Sequence, residues 1–393
     1  MTHQTMRHRR STAARRRGSL VPAVAVALLV VGGTMALVFD RLWIDAARIE
    51  LLTAAEAAAL AGAAELADDG LLLEFPDASE RNDNALEAAL RAAAGNTVAG
   101  QPVSLRESDV RIGRIVQDPA GRDVFLETDD APTSIAVFAG RQRSGPNPVS
   151  LYLRDESTGG QPDVTVVAEA GIDNHVIGIA AITGGCVPAL PLAALESDAT
   201  GTQTETWVAA IEQRGGGDRF RYDEQTGLVI EAPDGLPELT LLSASASDSP
   251  SEAAKSNIRL LDLGVGLRDD RCAEQVLRGL TLDHLVDFGG DVRFDAGPLS
   301  VRCDPSIGPD TQDACATIVG QPRICFLFAA DAQQPDTATV PRIVAGRIMS
   351  VRLVDGDRLE IVVQPCVVST RTAMLGDETT PLNPYIYKLQ LTH

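Results

Sequence analysis

"RRRGSLVPAVAVALLVVGGTMALVFDRLWIDAARIELLTAAEAAALAGAAEL", Arg15 to Leu66, is the stretch on which the rest of the chain depends. Leu20 to Phe39 is a run of 20 residues without a charge. As a helix it is about 30 Å long, the thickness of a bilayer core. Pro22 falls in the first turn, where a missing N–H costs little. Three readings are open: a retained signal anchor, a cleaved signal peptide, or a core helix of a soluble domain. Cleaved signals have an apolar region of about 7–15 residues followed by a small-residue site. This run is longer, no good A-x-A site follows it, and no lipobox cysteine is near. A retained anchor is the expectation.

The charge pattern orients that anchor. Arg7, Arg9, Arg10, Arg15, Arg16 and Arg17 precede the run, and no acid appears before Asp40. These arginines are the topology signal: they hold the N-terminus in the cytoplasm and send the bulk of the chain across the membrane. The 393 residues carry a net charge of −20, so everything beyond the arginine block is strongly acidic. An acidic body repels a phosphate backbone, so nucleic acid is not an expected partner. The bilayer is.

The helix is predicted to run on past the membrane. Asp40 to Leu66 contains no proline and one glycine, and eight of the 11 residues from Ala54 to Ala64 are alanine, the best helix former. Trp43 suits the outer interface. Small side chains allow close helix approach, either within the chain's own domain or between copies in a homo-oligomer.

The arginine-rich start, "RRGS", the apolar span, Asp40 and "TAAEAAALAGAAEL" together resemble the N-terminal region of the TadE/TadG-like family, over about Arg15 to Ala64. A second stretch, Thr133 to Ile172, is similar to the TadG-like pattern of a strand, a basic turn ending in N-P-V and a Val/Ala-rich strand. The resemblance implies a bitopic inner-membrane protein of Flp pilus (tight-adherence) assembly, with protein partners in a pilus-assembly or secretion system. One departure matters. Pilin leaders are cut after a glycine, and the fifth mature residue is usually Glu. Counting from Ser19, that position is Ala23. This argues against cleavage at Gly18-Ser19 and fibre packing, and for an anchored accessory protein.

The expected class is α+β: the transmembrane helix continuing into an Ala-rich helix, then antiparallel β-rich exported domains. The expected divisions are a basic tail (1–19), the span (20–39), an Ala-rich helical region (40–99), a β-rich domain (100–184) and an α+β cysteine-containing domain (185–393). "NALEAALRAAAGN" (Asn84 to Asn96) predicts a second helix with a Gly-Asn stop. "VRIGRIV", "DVFLET", "SIAVFAG", "VSLYLRD" and "DVTVVAEAGI" predict short strands. "TGGCVPALPLAAL" (Thr183 to Leu195) looks like a join between domains. "RFRYDEQTGLVIEAP" and "LPELTLLSAS" predict further strands, and Ser243 to Asn257 an exposed loop. "CAEQVLRGLTLDHLVDF" (Cys272 to Phe288) has helical period. Arg342 to Val368 predicts a hairpin turning at Asp355-Gly356.

Chemistry-bearing motifs are sparse. Cys186, Cys272, Cys303, Cys315, Cys325 and Cys366 all fall on the exported side, an even count that makes them candidates for disulfides stapling the second domain. Buried thiols or a metal site are the alternatives, the latter without any C-x-x-C pair. His175 and His284 are expected to be structural. No G-x-S-x-G, H-E-x-x-H or Walker A sequence occurs, and Lys255 and Lys388 are the only lysines. Asp155, Ser157 and Gly159 fit an adhesion-type Mg²⁺ motif only in part, and Asp355–Asp357 fits a turn. No cofactor or catalytic residue is assigned. A non-catalytic assembly protein is expected, ahead of an anchored ligand- or polymer-binding module and an exported enzyme.

Overall fold

In a computed structural model the described residues are 20–142, 147–151, 162–199, 201, 203–245, 247–330 and 336–392. The six N-terminal arginines, Asp155, Ser157, Gly159 and most of the strand expected at 149–155 lie outside them. Helix α1 (Leu20–Glu65) is one unbroken element of 46 residues, about 69 Å long at 1.5 Å per residue. Its first 20 residues pack against nothing. From Ala47 one face sinks into the protein through Leu51, Ala54, Ala55, Ala58, Ala59, Gly62 and Ala63, at helical spacing. Helix α2 (Ala78–Ala94) starts six residues before the expected stretch, because the Asp77 carboxylate accepts from the Ser79 and Glu80 amides, and ends at Gly95. It presents Ala85, Ala88, Ala89 and Ala93. Alanine facing alanine brings the two helix backbones close. At Gly62 a Cβ would stand 2.7 Å from Ile135 Cδ1 and 2.9 Å from the Ala85 carbonyl.

The alanine face is therefore filled by its own domain, the first of the two arrangements expected of it. Beyond α2, the small hairpin β1 (Thr97–Val98) and β2 (Gln101–Pro102) rests on α1, where the Ala99 amide donates to Glu50 Oε2 at 2.7 Å. Then come β3 (Val110–Gln117), β4 (Asp123–Glu127), β5 (Ser134–Arg141) and β6 (Val164–Asp173), antiparallel in the order β4-β3-β5-β6. Alternation aims Ile135, Val137 and Ala139 of β5 at the helices, closing the first core.

The second core is larger. It is built from β7 (Val176–Ala180), β8 (Ala189–Leu195), the hairpin β9 (Arg221–Asp223) and β10 (Leu228–Ile230), β11 (Leu239–Leu242), the short α3 (Pro250–Ala253), β12 (Ile258–Leu261), α4 (Asp269–Arg278), β13 (Asp291–Arg293), β14 (Leu299–Asp304), α5 (Pro309–Thr317), β15 (Pro322–Phe328), β16 (Thr337–Val340), β17 (Arg342–Val354) and β18 (Arg358–Pro365). Eight strands order as β11-β18-β17-β15-β8-β12-β14-β16. The β17–β18 hairpin matches the expectation: Asp355 (φ 50°) and Gly356 (φ 91°) take left-handed conformations at its turn.

The expected join is a correction. Residues 189–195 form β8, buried at every position and paired parallel with β15 and antiparallel with β12. Pro191, which has no N–H to give, sits where the β15 register slips. The helix expected over 272–288 runs from Asp269 only to Arg278, because Gly279 (φ 85°) ends it. The loop expected over 243–257 contains α3.

The chain finally returns. After β19 (Val368–Ser369) and β20 (Ala373–Leu375), β21 (Ile386–Thr392) pairs antiparallel with β6, completing a six-stranded sheet begun more than 200 residues earlier. β20 joins β7 and β13 in a third sheet.

Candidate membrane anchor and its joint to the second core

The candidate anchor is built from local sequence alone. Leu20 to Phe39 is long and apolar enough to cross a bilayer. Its one hydroxyl, Thr34, donates to the Val30 carbonyl at 2.8 Å, so no side-chain polar group in the run needs water. The first charges follow at once. Asp40 is buried at 6% exposure, and Arg41 pairs with Asp45 at 3.4 Å on the helix surface.

At its far end the helix is fixed to the second core by a short polar joint. The Asp69 carboxylate accepts from Arg347 Nη1 at 2.8 Å and from the Val367 amide at 2.6 Å. The Arg347 guanidinium also lies 4.0 Å from the Tyr222 ring centre. Arg214 bridges the Leu72 and Gly235 carbonyls at 2.7 and 3.0 Å.

Asp68, one residue earlier, is the electrostatic exception. Burial pushes its carboxyl up to about 6; Arg81 on α2 pulls it down, while Asp69 and Glu224 push it up. Burial and Glu224 raise Glu65 in the same direction. Asp68 Oδ1 and Arg81 Nε are buried without hydrogen-bond partners among the described residues.

A groove of about 530 Å³ lies beside the third sheet and is lined by Val176, Ile177, Phe294, Leu382, Tyr385 and Arg342. Arg342 is held by Glu196 at 2.7 Å and Glu212 at 2.8 Å. Tyr385 accepts from Trp207 Nε1 at 3.3 Å and meets the indole edge-on. The groove is thus mainly apolar with one arginine at its edge, already neutralised.

The expected residues are dispersed. His175 Nδ1 lies 2.8 Å from Asp173, and the Thr281 amide donates to His284 Nδ1 at 3.2 Å. Burial lowers the His284 pKa. No hydroxyl or thiol hydrogen bonds to either ring among the described residues. The cysteines require a correction: no disulfide joins any of the six. Cys186 is exposed; the other five are buried. Burial pushes Cys272, Cys315 and Cys325 up to about 12 and Cys303 to about 11. They fill the core as small apolar groups, so side-chain packing holds this domain where staples were expected. Among the described residues no three His, Cys, Asp or Glu side chains gather as a metal site. Asp357 accepts from Ser245 Oγ at 2.7 Å within the hairpin turn.

Sequence reasoning missed the joint. Its single local signal is the acid pair in "LADDG" directly after the helix; the partners come from residues 81, 222, 347 and 367.

The fold defines an α+β protein carrying one long apolar N-terminal helix that suits a membrane anchor or signal. The chain matches no family model, no curated protein and no solved structure.

Proposed function

We propose that this chain is a single-pass, non-catalytic accessory protein of the cell envelope, acting in Flp pilus (tight-adherence) assembly like the TadG-like proteins its N-terminus resembles. Its N-terminus is cytoplasmic, held by the arginine block. Its domains lie outside the cytoplasmic membrane and engage protein components of the pilus-assembly or secretion machinery. The observation that carries the reading is the continuity of α1. The same helix is bare and apolar over Leu20–Phe39 and forms the wall of a core from Ala47 onward. A peptidase acting near Asp40 would have to cut rigid helix next to a buried residue.

Protein recovered from membranes is expected to resist carbonate extraction and to keep residues 20–39 by intact mass. It should co-purify with pilus-assembly components in cells making pili. A mature start near Asp40, or recovery without any such component, overturns the reading.

An anchored binding module is the second reading, favoured by the groove at Tyr385. A cell-wall polymer fragment seated there would raise the melting temperature, and Leu382→Glu at the exposed rim would abolish the rise.

A further inference from the structure

The face of α1 turned away from its own domain carries a pattern that neither the membrane nor the fold uses. In one heptad frame the first positions are Val21, Leu28, Met35, Leu42 and Ile49, and the fourth are Val24, Val31, Val38, Asp45 and Leu52. Every apolar member is exposed. Within the bilayer this means little, because lipid covers any face. Outside it the observation becomes specific. Beyond Asp40, the large apolar residues of α1 left in the open are Leu42, Trp43, Ile49 and Leu52, and three of the four fall in this frame. The side buried in the domain is the opposite one, through Ala47, Leu51, Ala54 and Ala58. Leaving Ile49 two-thirds exposed in water has no benefit to the monomer. Next to Leu52 the surface opens into an unfilled hollow of about 250 Å³, walled by Glu56 and Leu391.

Resting on the single-pass reading, we infer that this seam pairs with the same seam of a second copy, forming a parallel two-helix contact that runs from the bilayer to Leu52. Anchoring fixes every copy in the same orientation and at the same height, so identical stripes meet in register. Spacing of 3.5 residues is the geometry that keeps two helices in contact as they supercoil. The charges fit. Asp45 is the one polar residue in the seam, and Arg41 and Arg48 flank it. In register the two copies' Asp45 carboxylates face each other, and each is neutralised within its own chain by Arg41 at 3.4 Å. A single polar position fixes register and parallel order in such pairs.

The test uses the full chain in its membrane, with Cys186→Ser removing the exposed thiol. Single replacements Leu42→Cys and Ile49→Cys are expected to give a covalent species of twice the chain mass on mild oxidation. Trp43→Cys, about 100° around the helix, should not. In nanodiscs the unaltered protein should have the mass of two chains, and Leu42→Lys with Ile49→Lys should reduce it to one while leaving the thermal unfolding of the domains unchanged. Equal cross-linking at 42, 43 and 49, or a cross-linked product of another mass, overturns self-pairing. An anchored but monomeric chain overturns the dimer alone; a soluble chain lacking residues 20–39 overturns anchor and dimer together.

Discussion

Asp69 and Arg347 lie 278 residues apart in the chain and 2.8 Å apart in the fold. Arg347 is buried, and this contact ties the segment after the long N-terminal helix to the eight-stranded sheet. Asp69→Ala leaves a buried guanidinium without its counter-charge, and such losses cost about 3–5 kcal/mol. Chemical denaturation of the full chain in detergent should show it. Asp69→Leu with Arg347→Met removes both charges and should recover most of the loss; if the double variant is as weak as the single, the cost lies elsewhere than in the unpaired charge.

Asp68 gives the joint a pH dependence. Its folded carboxyl titrates at about 6 against 3.8 for an ordinary aspartate. A raised acid pKa means the folded state holds a proton that the unfolded state has lost, so stability falls as pH rises from about 4 through about 6. Glu65, raised by the same burial, acts in the same direction. Asp68→Asn should be more stable than the unaltered chain at pH 8 and should flatten the melting temperature across that window. An unchanged slope rejects Asp68 as its source.

Gly62 tests the close helix approach. Alanine there gains about 1 kcal/mol of helix propensity, but the added carbon meets Ile135 and the Ala85 carbonyl. Overpacking of this kind costs about 1–3 kcal/mol. Gly62→Ala should be destabilising on balance, and Ile135→Val should recover part of the deficit. A stabilised Gly62→Ala would show that the helices separate freely.

The thiols can be counted. Under native conditions a thiol-specific reagent should modify Cys186 rapidly and the five buried cysteines only after denaturation. Reducing and non-reducing gels should show the same mobility. More than one fast-reacting thiol, or a mobility difference, contradicts the packing described for Cys272, Cys303, Cys315, Cys325 and Cys366.

What the sequence determined by itself was whatever depends on neighbours along the chain. Twenty uncharged residues fix the length of the apolar helix, alanine content carries it onward to Glu65, and Asp355-Gly356 turns the 342–365 hairpin. These are short-range matters of propensity, period and turn geometry. Tertiary structure decided the rest. The stretch 183–195, punctuated by Gly184, Gly185, Pro188 and Pro191, looked like a connection; only pairing with β15 and β12 makes 189–195 a central strand. An even number of cysteines raised the expectation of bridges, but a bridge needs two sulfurs brought together in the right direction, and the fold leaves all six as free thiols. The joint at Asp68 and Asp69 was illegible for the same reason: its partners lie on β17, on α2 and between β18 and β19, and no local pattern encodes contacts that exist only once two cores have packed.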